Sequence, residues 1–572
     1  MSQTATLETH TFPSTMSNET KLEAQPATAV KFDLPVNSGK PVNILVHALE
    51  HALDEIKAGR DLSPAVLLIP LIGSSLDKHT RVAKQAAQRL FPPSDSESPD
   101  LKTRQTWSYI RYSKAVSQIR QTYYQQQGAR EAAKYQEDLY RTVRMVGQED
   151  LFRQMIDTPA GEPVLHPEPM SVNVPPLDDF KPFLCHMKKQ GPLPADHVEF
   201  QRGVFYSDGR IDLCKQVVGP PWISKLTQAI SGNEQVKHFL LGNNVIDTPG
   251  AVAIANFITV HNPPIETWYL AGNRLNAHGI QLIAESLKGN VHAKALWLKR
   301  NPLMTEGVKH IADLLTHNDQ LEILDLDNVG MMDEGCEYLF DKLLQNSSLK
   351  LLYMDANNIS ARGCRAIAKY FNTLKREGRT GITSLFMGMN PLKDEGVSIL
   401  AKALQGYVSL ERLTLSSCRM TETGLAFLLD CLAFAPHLIV LDVGHYKATA
   451  DMKELPNCVG LKGAKALAEY IEHNMSLKVL DFRTIHLPTE GLQCVAQAML
   501  WNRNLLYVYP EQYGLRSAES RQALAEIRTH CDINCLEQLG LTLQQFCSTQ
   551  LRFMKHTERV QHVDSLYRNR EM

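Results

Sequence analysis

The stretch Leu349-Lys-Leu-Leu352-Tyr-Met354-Asp-Ala-Asn357-Asn-Ile359, followed by Gly363, Cys364, Ile367, Ala368 and Phe371, decides how this 572-residue chain folds. Its first, fourth and sixth positions are apolar, which predicts a short strand with one face turned onto a core. After Gly363 the apolar residues recur three and four apart, the spacing of an amphipathic helix. The same unit begins again at Val236, Ile265, Ala293, Leu321, Ile382, Leu410, Leu438 and Leu477, with a truncated copy at Leu505 and a degenerate one at Asp208. From Val236 to Leu505 successive starts are 29, 28, 28, 28, 33, 28, 28, 39 and 28 residues apart. Such regularity marks an internal repeat.

Neither half of a unit can bury its apolar side alone, so stability comes from stacking. Each inward Leu, Ile or Val contributes about 1.5–3 kcal/mol when fully buried. The expected architecture is a right-handed α/β leucine-rich-repeat solenoid: a horseshoe with a parallel sheet inside, helices outside, and helical N- and C-terminal extensions. The ninth position carries Asn244, Asn273, Asn301, Asn357 and Asn390, whose amides can satisfy backbone groups of the neighbouring coil. Val329, Cys418, Tyr446 and Ile485 replace it elsewhere, which predicts a ladder interrupted in the second half. The long unit, with runs such as Gly279-Ile-Gln-Leu282-Ile-Ala284-Glu-Ser-Leu287, resembles the ribonuclease-inhibitor-like class of leucine-rich repeats. That class includes ribonuclease inhibitor, the Ran GTPase-activating protein and the sensor regions of nucleotide-binding immune receptors. The resemblance covers a little over half the chain, and it implies a protein partner bound along the concave sheet.

Composition narrows the function classes. With 60 basic against 62 acidic residues, the chain has no global pull toward nucleic acid or anionic lipid. Eleven cysteines without a disulfide framework point to a reducing compartment, and the expected location is the cytoplasm. The strongest apolar run, Pro64 to Gly73, is far shorter than the ~20 residues that span a bilayer. We divide the chain into a disordered N-terminus (1–38), a mainly helical region (39–157), a Pro-rich linker or cap (158–207), the repeats (208–510) and a helical C-terminal cap (511–572).

Candidate chemistry outside the repeats is sparse. His47-Ala-Leu-Glu50-His51 matches the H-x-x-E-H pattern of inverted zinc proteases, in which two histidines one turn apart hold the metal. The same residues flank the apolar face of an amphipathic helix, and the third ligand such a site requires has no candidate with supporting context. Cys531 and Cys535 lack a partner pair at zinc-site spacing. No catalytic residue, metal or cofactor is therefore assigned, and the chain is read as non-enzymatic. Residues 101–144 hold nine Lys or Arg against three acids, interleaved with six tyrosines. Charge with stacking rings can hold nucleic acid, but in a neutral chain a solvated helix face is the preferred reading.

The strongest binding candidate is the inner sheet. The fifth position of each unit points to the concave face: Leu240, Tyr269, Trp297, Asp325, Tyr353, Phe386, Thr414, Asp442, Asp481. Tyr269, Trp297, Tyr353 and Phe386, standing bare on a rigid surface beside Lys299, Arg300, Asp325, Asp327 and Asp355, have the composition of interface hot spots. Insertions of about five residues near Lys375–Gly381 and about eleven within Lys447–Leu461 are expected to be loops. The reading is a protein-binding scaffold or regulator. Its alternatives are a GTPase regulator, a bacterial effector acting in a host cell, or nucleic-acid binding through 101–144.

Overall fold

The computed structural model describes residues 41–59, 89–90, 175–433, 435–446, 456–512 and 517–568. The chain divides into two compact units, Met1–Ile156 and Asp157–Met572. In the first, the helix Pro41–Lys57 buries Leu49 and Ala52 and leaves Glu50 and His51 exposed. The basic, tyrosine-rich segment 101–144 lies outside the described residues.

The second unit is a leucine-rich-repeat solenoid. Its thirteen described strands are β1 His197–Glu199, β2 Val204–Tyr206, β3 Arg210–Asp212, β4 His238–Leu240, β5 Thr267–Tyr269, β6 Ala295–Trp297, β7 Ile323–Asp325, β8 Leu351–Tyr353, β9 Ser384–Phe386, β10 Arg412–Thr414, β11 Val440–Asp442, β12 Val479–Asp481 and β13 Tyr507–Tyr509. They form one open sheet in sequence order. β1 to β3 pair antiparallel, and every pairing from β3 onward is parallel. A parallel pair needs a crossover. Helices from Gly219–Ile230 to Thr489–Met499 supply it and pack on one another outside the sheet.

Each strand is three residues long because the chain turns at the eighth position of the unit. Arg300, Asn328, Ala356, Met389 and Ser417 all sit there in the left-handed region, with φ between 50 and 60°. Gly272 takes the same place with φ 67°, the residue that adopts it without strain. The middle strand residues Leu296, Leu324, Leu352, Leu385, Leu413, Leu441 and Leu480 are fully buried in a core that runs the length of the solenoid.

The asparagine ladder closes the turns. Asn357 accepts from the Val329 and Met331 amides, both 3.1 Å away, and donates to the Leu326 carbonyl at 2.7 Å. Asn244, Asn273, Asn301 and Asn390 do the same for their neighbours. The expected gap at Tyr446 is bridged by Asn457, which accepts from Cys418 and Met420 and donates to Leu415 and Val443. The second insertion therefore falls ahead of the asparagine and displaces it in sequence without removing it from the stack. A second ladder, absent from the sequence reading, runs along the helix exits. Asn318, Asn346 and Asn502 each donate to two carbonyls of the preceding coil.

The insertion near Lys375 is a correction. It lengthens a helix, Ala361–Glu377, to 17 residues, against 12 in Met332–Leu343, and that helix ends on Gly378 with φ 64°. The loop expected there is confined to a few residues fastened by the Gly381 amide on the Tyr407 hydroxyl at 2.9 Å. Residues 447–455 of the other insertion lie outside the described residues.

Past the last strand, Ala518–Leu539 packs on Thr489–Met499, capped by Ser517 and ended at Gly540 with φ 65°. Two short helices, Leu543–Thr549 and Leu551–Lys555, then turn the chain back toward the sheet.

Candidate binding face on the concave sheet

Alternate residues of a strand point to opposite sides, so the first and third residues of each strand line the concave face. The register makes them two straight columns. In one, Leu240, Tyr269, Trp297, Asp325, Tyr353, Phe386, Thr414, Asp442, Asp481 and Tyr509 are successive partners. The other includes Arg210, His238, Ala295, Ile323, Leu351, Ser384 and Arg412, none of them among the residues expected from the sequence. Tyr269, Trp297, Tyr353 and Phe386 form a continuous chain of rings. Their centroids are 6.2, 5.4 and 4.1 Å apart, and Tyr353 and Phe386 are stacked.

The rings do not stand bare. Trp297, Tyr353 and Phe386 are 7, 6 and 4 % exposed. They lie in an apolar cluster with Ala295, Ile323 and Leu351, closed from above by Val560, Val563 and Phe553 of the chain's own C-terminus. Residues 553–567 cross the concave face from the last repeats to the first. Lys555 lies against Asp481 (3.5 Å) and over the Tyr509 ring, and Arg412 donates to the Met554 carbonyl at 2.8 Å. His556 stacks on Phe386 and brings Nδ1 to 3.2 Å from the Tyr353 hydroxyl. Farther on, a 3-10 turn, Glu558–Val563, directs Arg559 at Glu322 (3.0 Å) and Glu266 (3.6 Å). His562 stacks on His238 at 3.9 Å. Arg210 donates to the Gln561 and Asp564 carbonyls at 2.6 and 2.9 Å. Asp212 accepts from the Leu566 amide, and the Gly203 amide donates to the Tyr567 hydroxyl.

The polar members of the expected site form a separate, internally bonded group. Lys299 Nζ donates to Asp327 at 3.0 Å, the Asp355 amide to Asp327 at 2.8 Å, the Asp327 amide to Asp325 at 2.9 Å, and the Gly388 amide to Asp355 at 2.7 Å. Burial opposes the Lys299 charge, but Asp327 overcomes it and holds the ammonium's pKa above its usual value. Burial, reinforced by Asp327, raises the Asp355 carboxyl well above the carboxylate range. These side chains tie together the turns that follow β6 to β9. Arg300 sits in the left-handed turn itself.

Burial pushes His556 down to about 3 and, with help from His562, His238 down to about 4. Both imidazoles are therefore neutral while the C-terminus is docked, whereas a free histidine titrates near 6.5. Their contribution to docking is complete above pH 6.5 and is lost as the pH falls below it. Between pH 7.5 and 5.5 the protection of amides 556–567 against exchange, corrected for intrinsic rates, is expected to fall about ten-fold through His556. His556→Asn should lose that component, and an unchanged profile in this variant would show that another group carries the pH dependence.

Among the described residues no group of three or more His, Cys, Asp or Glu side chains is placed to hold a metal ion. In the H-x-x-E-H segment, His51 approaches Glu55 at 3.9 Å, and the His47 side chain lies outside the described residues. Cys531 and Cys535 are buried, which raises their thiols to about 12 and 11. No described helix is long and apolar enough to cross a membrane.

No family model matches the chain. It is similar to the human protein "NACHT, LRR and PYD domains-containing protein 14", with 28 % identity over 171 residues. The match covers 29 % of this chain and 14 % of that protein's length.

Proposed function

We propose that the chain is a non-enzymatic regulator that binds a protein partner on the concave face of its repeats, and that its own C-terminus gates that face. The observation carrying this reading is the ring column Tyr269, Trp297, Tyr353 and Phe386, aligned by the sheet register and covered by one short segment from the chain terminus. Aromatic side chains clustered at the centre of a rigid face are what interface hot spots are made of. Over the rings the cover seats Val560 and Val563, with Phe553 and His556 beside them. The likeness to a protein named for its leucine-rich repeats supports a role in protein interaction. Eleven free cysteines suit a cytoplasmic setting.

The test compares three full-length chains as bait: wild type, an opened form carrying Val560→Asp and Val563→Asp, and the opened form with Trp297→Ala and Tyr353→Ala added. The expected partner is enriched at least ten-fold on the opened form and lost when the rings are removed. A partner retained equally by all three would place recognition elsewhere.

A further inference from the structure

We infer that the partner segment taking the place of the C-terminus is itself a short peptide that docks as a 3-10 turn of the same chemistry: a cation immediately before the first of two aliphatic residues spaced three apart, with a ring four residues ahead of that aliphatic. In the docked chain these places are held by Arg559, Val560, Val563 and His556. The inference rests on the concave-face reading above and deepens it by stating what the face selects.

The face is built for that pattern. Its apolar floor is a slot wide enough for two aliphatic side chains over Ala295, Ile323 and Leu351, walled by the rings. Beside the slot, the second positions of two units place Glu266 and Glu322 together, and both reach the same guanidinium, at 3.6 and 3.0 Å. Glu266 is also paired with Lys294 at 3.1 Å, so Glu322 is the carboxylate that selects the incoming cation, and a carboxylate entering there meets its like charge. Farther along, Asp481 reads a second cation, Lys555. Asp481 is shared with Arg483 at 2.9 Å, so two cations meet at that end of the face.

The resident segment also fits imperfectly. Trp297 is 7 % exposed, yet its indole Nε1, buried along the path of the C-terminus, has no hydrogen-bond partner. Unsatisfied buried donors and acceptors weaken an interface. A tethered segment tolerates this because its tether keeps it at high effective concentration. A separate protein that offers an acceptor to the Trp297 indole gains what the C-terminus forgoes, and that difference lets it compete. The chain's own terminus thus serves as a low-quality copy of the ligand.

The experiment uses the full-length opened form, Val560→Asp with Val563→Asp, and a fluorescent peptide of residues 550–568 added in trans. Saturable binding is expected, at least ten-fold tighter than for the same peptide carrying Lys555→Glu and Arg559→Glu. Glu322→Lys in the protein should narrow that gap from both sides. Adding Trp297→Ala and Tyr353→Ala should abolish binding of either peptide. Equal binding of the two peptides, or binding indifferent to the ring substitutions, overturns the inference. Cross-linking then locates the contact segment of any partner that the opened form captures in a ring-dependent way. A segment with the aliphatic pair and its leading cation is expected. A ring-dependent partner without that pattern overturns this inference and leaves the concave-face reading standing, whereas the lack of any ring-dependent partner overturns both.

Discussion

Replacing Val560 and Val563 by Asp is expected to undock residues 556–567 while leaving the solenoid folded. The two valines are 5 and 3 % exposed and seat the segment on Ala295, Ile323, Leu351 and the rings. Losing two such burials removes roughly 3 kcal/mol or more. That corresponds to a fall of at least about 100-fold in the protection of these amides against exchange. The new carboxylates would also enter a region where Glu266 and Glu322 already lie. The main core of the repeats does not include these valines, so the melting temperature should move by no more than about 2 °C. Unchanged protection in the double variant would mean that the polar anchors at Arg210, Asp212 and Arg412 hold the segment by themselves.

Asn457→Ala should destabilise the solenoid about as much as Asn357→Ala, by roughly 3 kcal/mol or more, even though its neighbour Tyr446 occupies the repeat position that the sequence assigns to asparagine. Each amide is fully buried and serves two backbone N–H groups and two carbonyls. Truncation strands those groups at about 1–3 kcal/mol apiece, less whatever water recovers. Denaturant titration of both variants checks the parity. A loss at Asn457 below about 1 kcal/mol would mean that the ladder is interrupted at that turn after all.

The contrast between Asn357 and Asn457 shows what the sequence makes legible. Periodicity reveals any residue whose place is set by its own coil: the inward leucines and the column of fifth-position rings. Asn457 escapes because an insertion shifts its number while the stack restores its place. The helix Ala361–Glu377 escapes because five added residues with good helical propensity extend a helix as readily as they form a loop. The other half of the concave face, the column through His238, Ala295, Ile323 and Leu351, follows the same spacing two residues ahead of the fifth position.

The cover over the rings is different in kind. Arg210 and Gln561 are 351 residues apart, and Tyr353 and His556 are 203 apart. Residues 553–567 carry no repeat pattern, only scattered charges and apolar residues. Nothing in their order says that they double back across the sheet, since that contact is decided by complementarity to a surface that exists only once the repeats have stacked. The rings Trp297, Tyr353 and Phe386 were locatable from sequence, and their burial was not. The polar set Lys299, Asp325, Asp327 and Asp355 was locatable too, and the hydrogen bonds that turn it inward come from backbone amides that composition cannot reveal.

The most direct measurement is amide exchange on the wild-type full-length chain, alone and saturated with the partner that the opened form captures. The account predicts that residues 556–567 lose their protection in the complex while the strands β6 to β9 beneath them stay protected. A complex in which residues 556–567 remain as protected as in the free chain would contradict it, because the partner would then be bound with the rings still covered.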